Sequence, residues 1–502
     1  MNHYDVIVVG AGNGGLAAAA TIAKAGYKTL VLEKHNLPGG CATSFVRGRF
    51  EFEAALHELC HEATSPYADS VKKIFDDLGV DMDLAYDETL FRAVCVGEDG
   101  YDVKLPTGYE AFLDAMEAAV PGCRDSVKAL IDLNKELDEA QDYMNANGLH
   151  PSVFYNKYGN FMRAASHSTQ EVMDALGVPE KAQRILCTYW GYLGVPTDDL
   201  NALHYLSLLA AFAHTPPSMP HHRSHALSLG LVKALQGFGG EIRYNAEVTK
   251  FLYGDKKEAI GVVAGNEVFY AKKIVSNIIP NNVMNRSDEK FFSAKQRKLA
   301  NARSFGMTFI TVYLGLDASM EELGITDYSV FIMHAPTARA QFEQRRQKGM
   351  YVVNCLNQVL PESSPEGTCT LFFTIPYMPG DFPETLRPQD YKKYKNKVAE
   401  EYIADYEQVM GVNVRDRIEE IVIATPVTFA RYLGTPEGAI YGYDSKGWDN
   451  VVARTVAQPM EETVKNLFFC GGHSVRGDGY PSAYITGAMT ARKVIDELKE
   501  GK

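Results

Sequence analysis

Cysteine is scarce: eight residues in 502, at 41, 60, 95, 123, 187, 355, 369 and 470, with no CxxC among them. That density excludes a disulfide framework and reads as reduced thiols, as in cytoplasm. Basic charge is in deficit. Lys plus Arg number 50 against 63 Asp plus Glu, a formal net charge of −13. So acidic a surface repels phosphate backbones, and no nucleic-acid partner is expected. No apolar run reaches the ~18 residues a membrane-spanning helix needs. The opening MNHYDVIVVG has no basic n-region and runs straight into an apolar stretch, so no secretory signal is expected. Repeats and low-complexity tracts are missing too. What is present is a globular balance, 46% hydrophobic and 23% charged, in a chain longer than the ~250–300 residues one core fills. The expectation is a soluble, cytoplasmic protein of more than one domain.

Asp5–Val9 (DVIVV) is the continuous apolar run of a parallel strand buried on both faces. Gly10-Ala11-Gly12-Asn13-Gly14-Gly15 follows at once, then a small-residue helix to Gly26 and a second strand, Lys28–Glu33. This is the opening unit of a doubly wound dinucleotide fold. From about Val71 to Ser218 the pattern is mostly helical and rich in Tyr and Phe. A helix over Leu227–Gly239 then leads into three strands, EIRYNAEVTKFLY, EAIGVVAGN and EVFYAKKIVSN. Strands and one charged helix near Asp390–Met410 fill residues 285–432, where LPESSPEG (360–367) reads as a flexible loop. The chain closes on strand Asn466–Cys470, a glycine loop and a helix from about Ser482 to Leu498. The fold class is α/β: a discontinuous Rossmann-like domain from 1–85, 220–285 and 433–502. A mixed α+β substrate or lid domain, 86–219 and 286–432, is inserted into it.

Gly10, Gly12 and Gly15 spell GxGxxG, with Gly14 inside the same turn, and Glu33 stands eighteen positions beyond Gly15. The glycines allow a tight turn, close approach of a pyrophosphate, and helix-on-strand packing; the helix N-terminus supplies N–H donors. Glu33 is placed to accept ribose hydroxyls, with Lys34 beside it. Gly39-Gly40-Cys41 adds a second glycine pair just after the acid. Near the other end, Gly471-Gly472 and the loop before Pro481-Ser482-Ala483 deliver a further glycine turn and a helix N-terminus. Glycine contacts from both ends of the chain suit an extended FAD better than NAD.

LEKHNLPGG, GGEIRYNAEV with IVSN, and FFCGGHSVRGDGYPSAYITGAMTA together resemble the phytoene desaturase, carotenoid isomerase and retinol saturase group of FAD-dependent enzymes, which shares its fold with amine oxidases. PVTFARYLGTPEGAIYG (426–442) resembles the isomerase and saturase branch. The resemblance implies a flavin that saturates, desaturates or isomerises carbon–carbon double bonds of a long hydrophobic substrate. It implies that Val248 meets the adenine side through its backbone. Pro481, Ser482 and Ala483 would face the flavin pyrimidine. The chain departs from that pattern at Gly472, where an acid is usual, and at Phe52-Glu53-Ala54-Ala55, where Phe-Asp-x-Gly is usual. It departs again at Cys41, where Arg is common, and across Pro220–His225, often Gly-rich.

His57-Glu58-Leu59-Cys60-His61 matches HExxH, which on a helix offers two imidazoles to zinc. No third ligand is placed, so no metal is expected. The resemblance instead carries this segment beside the isoalloxazine, where His57, and one helical turn on His61, would exchange a substrate proton near neutrality; two helix histidines held only by hydrogen bonds are an equal alternative. Tyr480 and Asp478 stand next in line, although Asp478 serves equally as a turn cap and Tyr480 as packing. Arg476 shares that loop. Cys41 and Cys470 read as packing residues near the cofactor. His221, His222 and His225 read as a solvated loop or substrate gate. Val153–Met162 reads as an aromatic core or tunnel wall, with peripheral membrane contact as the alternative. No second GxGxxG marks a nicotinamide domain, so the electron donor or acceptor is left unassigned. Against the hydrophobic small-molecule reading stand an amine oxidase of the same fold and a flavin-free prenyl-protein escort. The escort's eroded glycine fingerprint is unlike the whole one here.

Overall fold

The computed structural model describes residues 2–62, 69–461, 464–477 and 479–501. Its first sheet contains strands β1 (His3–Val9), β2 (Thr29–Leu32), β3 (Glu241–Arg243), β4 (Val248–Tyr253), β5 (Ala259–Ala264), β6 (Glu267–Ser276) and β7 (Leu467–Phe469). The order is β4-β5-β6-β1-β2-β3, and β7 lies parallel to the end of β6. The strands β7, β6, β1, β2 and β3 are all parallel where they adjoin, while β4 and β5 add antiparallel neighbours. Strands of such a sheet are apolar because both faces are covered, and Val6–Val9 are fully or nearly fully buried. Three helices supply the cover nearest the site: α1 (Asn13–Lys24), α2 (Arg223–Gly237) and α3 (Gly479–Lys499).

α1 packs on both α2 and α3, so the first and last segments of the chain form one body. Two glycines permit the approach. A Cβ on Gly15 would stand 2.0 Å from the Gly10 carbonyl oxygen, and one on Gly487 would stand 2.2 Å from that of Gly14. The alanine run at 17–20 continues the same narrow seam and is fully buried.

The second sheet runs, in order, through Ile418–Ala424, Thr308–Leu316, Cys369–Tyr377, Met350–Cys355, Ser329–Met333, Thr89–Cys95 and Tyr101–Pro106. Its side chains alternate between faces. Ile310, Val312, Leu314, Phe373 and Ile375 pack with Val398, Tyr402, Ile403 and Tyr406 of the helix Pro388–Met410. Phe309, Thr311 and Thr374 face a cavity on the other side. Helices between Tyr109 and His214 close that side, among them the buried Ala202–His214.

Three local expectations are corrected, and the reading of 153–162 as an aromatic core is met. The helical stretch 71–218 contains the hairpin Thr89–Cys95/Tyr101–Pro106, whose alternating side chains join the second sheet. Residues 360–367 are pinned rather than loose: Leu360 is fully buried, and the Asn357 side-chain amide donates to Ser364 Oγ (2.8 Å). Pro220–His225 is not a solvated loop. Ser218–Pro220 pairs with Leu84–Tyr86, α2 begins at Arg223, and His221 is bound to Glu362 (2.7 Å). The 153–162 segment is two short helices, Pro151–Lys157 and Gly159–Ser166. Phe154, Tyr158 and Phe161 are buried in the helical core, while Tyr155 is 86% exposed. Among the described residues no helix is long and apolar enough to cross a membrane.

The seam makes a direct prediction. Gly487→Ala pushes a methyl group into the Gly14 carbonyl, and overpacking of this kind costs about 1–3 kcal/mol. Urea unfolding of the variant is expected to show a lower midpoint with an unchanged slope; an unchanged midpoint would mean that α1 and α3 part freely.

Candidate active site

The carboxyl ends of β1, β6 and β7 lead to Gly10, Asn277 and Gly471, which line one cleft of about 190 Å³. The cleft lies where ligands bind in open α/β sheets, at the carboxyl ends of the strands. Its wall also includes Gly12, Gly14, Glu33, Lys34, Gly39, Gly40, Cys41, Val248, Gly472 and Ala483. Gly15 is not in the wall; it serves the helix–strand contact described above. Pro481 and Ser482 face the neighbouring cavity instead, so the triplet Pro481-Ser482-Ala483 straddles the two spaces.

The cleft fits a dinucleotide. Gly12 caps α1 without a side-chain hydrogen bond, and no acid occupies the first turn, leaving backbone N–H groups for an anion. Gly10, Gly39, Gly40 and Gly471 have φ values of 94°, 116°, 64° and 104°, which only glycine adopts without strain. Glu33 is buried, and its oxygens accept the Ala11 N–H (2.7 Å) and the His35 N–H (2.8 Å). Each oxygen keeps a lone pair for a ribose hydroxyl. Lys34 donates to the Arg431 carbonyl (2.9 Å), tying the cleft's edge to the helix Pro426–Leu433. Burial pushes the Cys41 thiol up to about 12 and Cys470 upward as well, so neither is a thiolate.

Sequence reasoning missed two residues here. Asn277 sits among the glycines: its Nδ2 would stand 2.7 Å from a Cβ on Gly12, and its Oδ1 2.6 Å from one on Gly471. Its position directly after the apolar strand KKIVS, level with Gly10 after β1, was the available signal. His473 is buried in the same wall; burial, then Arg303 and Arg454, hold its imidazole neutral, down at about 3. The two arginines converge on Asp449 (2.9 and 3.2 Å), and Arg454 also reaches the Asp444 and Ser474 carbonyls. That network fastens the C-terminal glycine loop to residues 303 and 444–454.

A second cavity, about 280 Å³, adjoins the first, and Ile440, Tyr441, Gly479 and Tyr480 line both. Leu56, Leu203, Leu208, Phe212, Phe309 and Phe429 make much of it apolar, while Arg476 faces Asp69, Asp138 and Asp142. Arg476 therefore belongs to this cavity and not to the cleft. Asp478 lies outside the described residues. Tyr480 donates its hydroxyl proton to the Cys41 carbonyl (2.9 Å), and burial holds that phenol well above its usual value.

The 57–61 segment is corrected in shape and in titration. It forms no helical turn; Leu59 instead pairs with Ser218 through two backbone hydrogen bonds. His57 and His61 accordingly part company. His57 lines the cavity, with Nε2 hydrogen-bonded to Thr374 Oγ1 (3.0 Å) and its ring edge-on to Tyr192 and Phe372. His61 is buried against Ser218 Oγ (3.0 Å) and is absent from the cavity wall. Burial holds His57 down at about 3, so it is a neutral imidazole at neutral pH rather than a group titrating there. Its Nδ1 is buried without a partner. Among the described residues no group of His, Cys, Asp or Glu is disposed to hold a metal.

Glu58 went unread except as part of HExxH. It lines the cavity, its oxygens lie 2.9 Å from the Tyr189 hydroxyl and 3.2 Å from that of Tyr192, and burial raises its carboxyl to about 8.

The chain is similar to known proteins in sequence and in fold. Residues 8–78 match an NAD(P)-binding Rossmann-like domain. All-trans-retinol 13,14-reductase of Danio rerio is 26% identical, aligned over 98% of this chain and 86% of its own. Prolycopene isomerase 2 of an Oncidium hybrid cultivar is 22% identical, over 99% and 84%. A putrescine oxidase variant of solved structure superimposes with a TM-score of 0.67 at 16% identity, covering 100% of this chain and 99% of that one. Along its whole length, then, the chain resembles the phytoene desaturase, carotenoid isomerase and retinol saturase group, on the Rossmann-type fold that amine oxidases share.

Proposed function

We propose that the protein is an FAD-dependent oxidoreductase acting on a carbon–carbon double bond of a long, apolar, unsaturated molecule. The observation that carries this reading is the meeting of the two spaces, a glycine-floored cleft and an apolar cavity, at Ile440, Tyr441, Gly479 and Tyr480. Support comes from the relatives, named for reactions on retinol and on a carotenoid and aligned over nearly the whole chain. A bound flavin supplies hydride exchange with the substrate.

The chain's own residues do the rest. The uncapped N-terminus of α1 and the glycines at 10, 12, 39 and 40 would hold the pyrophosphate. Glu33 would hold the ribose, with Val248 toward the adenosine. Ala483 and the N-terminus of α3 would stand toward the flavin. Leu56, Phe212, Phe309 and Phe429 exclude water and align an apolar chain, since burying its methylenes stabilises the complex by roughly 0.8 kcal/mol each. His57, fixed by Thr374 and kept neutral, adds no charge to the space the substrate fills. The electron partner is a small molecule or a second flavoprotein, and contact with a membrane surface would serve delivery of so apolar a substrate.

Denatured protein is expected to release FAD, and photoreduced protein to be reoxidised by polyenes or conjugated lipids but not by primary amines. Amine turnover without polyene turnover would shift the reading to an amine oxidase. A colourless protein that takes up no FAD would remove the enzyme reading.

The ribose contact is tested separately. Glu33→Ala forfeits charge-assisted hydrogen bonds of about 1.5–3 kcal/mol, so FAD should bind roughly ten- to a hundredfold more weakly by fluorescence titration. Gly12→Val should be worse, because its Cβ stands 2.7 Å from Asn277 Nδ2 and its branches enter the cleft. Undiminished FAD retention in both variants would relocate the cofactor.

A further inference from the structure

We propose that Glu58 is the proton carrier of the apolar cavity, exchanging a proton with the substrate carbon next to the one that exchanges hydride. The inference rests on the function proposed above. Its first support is geometric. Glu58 lines the apolar cavity, and the Tyr189 hydroxyl donates to Glu58 Oε2 at 2.9 Å. Tyr192 meets the other oxygen, Oε1, at 3.2 Å, and stacks on Tyr189 with ring centroids 5.1 Å apart. The carboxyl is thereby fixed in a stiff aromatic frame at the cavity wall.

Burial favours the acid form. Around Glu58 stand Tyr189, Tyr192, Tyr328, Ser329, Asp87 and, one residue away, His57. The Tyr189, Tyr192 and Ser329 hydroxyls favour the carboxylate, but burial outweighs them, Asp87 adds like charge and no cation is among these groups, so the Glu58 carboxyl is raised to about 8. The other candidates are poorer proton donors: the Tyr480 phenol is held well above its usual range and bonded to the Cys41 carbonyl, His57 is already a neutral imidazole with Nε2 at Thr374, and His61 is outside the cavity.

In the saturating direction the balance is simple. With a flavin bound in the cleft to supply hydride to one carbon of the double bond, Glu58 would give the neighbouring carbon a proton, the π pair becoming the second C–H bond. Glu58 is left as carboxylate and the flavin oxidised; solvent restores the proton and a two-electron donor, dithionite in the assay, restores the flavin. Desaturation is the same sequence reversed, with Glu58 accepting the proton as carboxylate and an electron acceptor reoxidising the flavin.

The test begins without turnover. Infrared difference titration of the purified protein should show one protonated carboxyl lost near pH 8 in wild type and missing in Glu58→Gln. Because the folded carboxyl holds its proton more tightly than the unfolded one, wild-type stability should fall as pH rises toward 8, and Glu58→Gln should lose that slope. On polyene substrates Glu58→Gln should then lose about 10²–10⁴-fold in turnover with FAD content unchanged. Glu58→Asp should keep a titrating limb at reduced rate. A wild-type kcat/KM that falls above about pH 8 reports saturation, and one that rises there reports desaturation. Turnover of Glu58→Gln within about threefold of wild type, far below the acid–base range, overturns the inference and leaves the function standing. So does a Glu58 carboxyl already ionised at pH 6. A folded, flavin-loaded wild type inert toward every polyene defeats the function, and this inference with it.

Discussion

Two bare α-carbons against two backbone carbonyls govern the geometry of this protein. Gly15 lies against Gly10 O, and Gly487 lies against Gly14 O, each at a separation no β-carbon tolerates. The first contact presses α1 onto β1; the second presses α3 onto α1. The first and last segments of the chain are thus locked together, and everything between them must leave that body and return to it. The same contacts draw Gly10, Asn277 and Gly471 to one level, where backbone and one amide side chain make the floor. A floor with so little side chain offers N–H groups and space, which is what a pyrophosphate needs.

Much of this was legible in the sequence because glycine, apolar strand and acid follow one another locally. Val6–Val9, Gly10–Gly15 and Glu33 are all within one βαβ unit, and their spacing is itself the geometry. The lining residues Gly39, Gly40 and Gly471 were legible for the same reason, as glycine pairs, whereas Val248 came only through the family resemblance. Asn277 and His473 were not, since an Asn after a strand or a His in a loop gains meaning only when a distant segment folds over it. The hairpin 89–106 was overlooked because helices flank it and its partner strand, Ser329–Met333, is over two hundred residues away.

HExxH illustrates the limit of a motif. Its chemistry needs helical period, and the sequence cannot supply that on its own. The Leu59 carbonyl and N–H are spent on Ser218, across a bridge that no local pattern announces, and the segment runs extended. With the helix lost, His57 turns to Thr374 and the cavity and His61 to Ser218. Glu58, which the motif would have assigned to a metalloprotease's base, finds two tyrosines instead.

Charge is handled differently in the two adjoining spaces. In the cleft, Glu33 is buried, and two backbone N–H groups meet its oxygens in place of water. In the cavity, burial outweighs the hydroxyl partners of Glu58 and the single Thr374 partner of His57, and drives both toward their uncharged forms, imidazole and carboxylic acid. An ion left there would lack the solvation an apolar substrate cannot provide. Around Arg476 the opposite holds: Asp69, Asp138 and Asp142 offset its charge against the desolvation that weakens it. Polarity is therefore not spread evenly along the cavity but divided, ionic around Arg476 and neutral around Glu58. The neutral part is the one whose proton is held near a physiological pH, because an acid buried without a countercharge is the cheapest way to keep a transferable proton beside hydrocarbon.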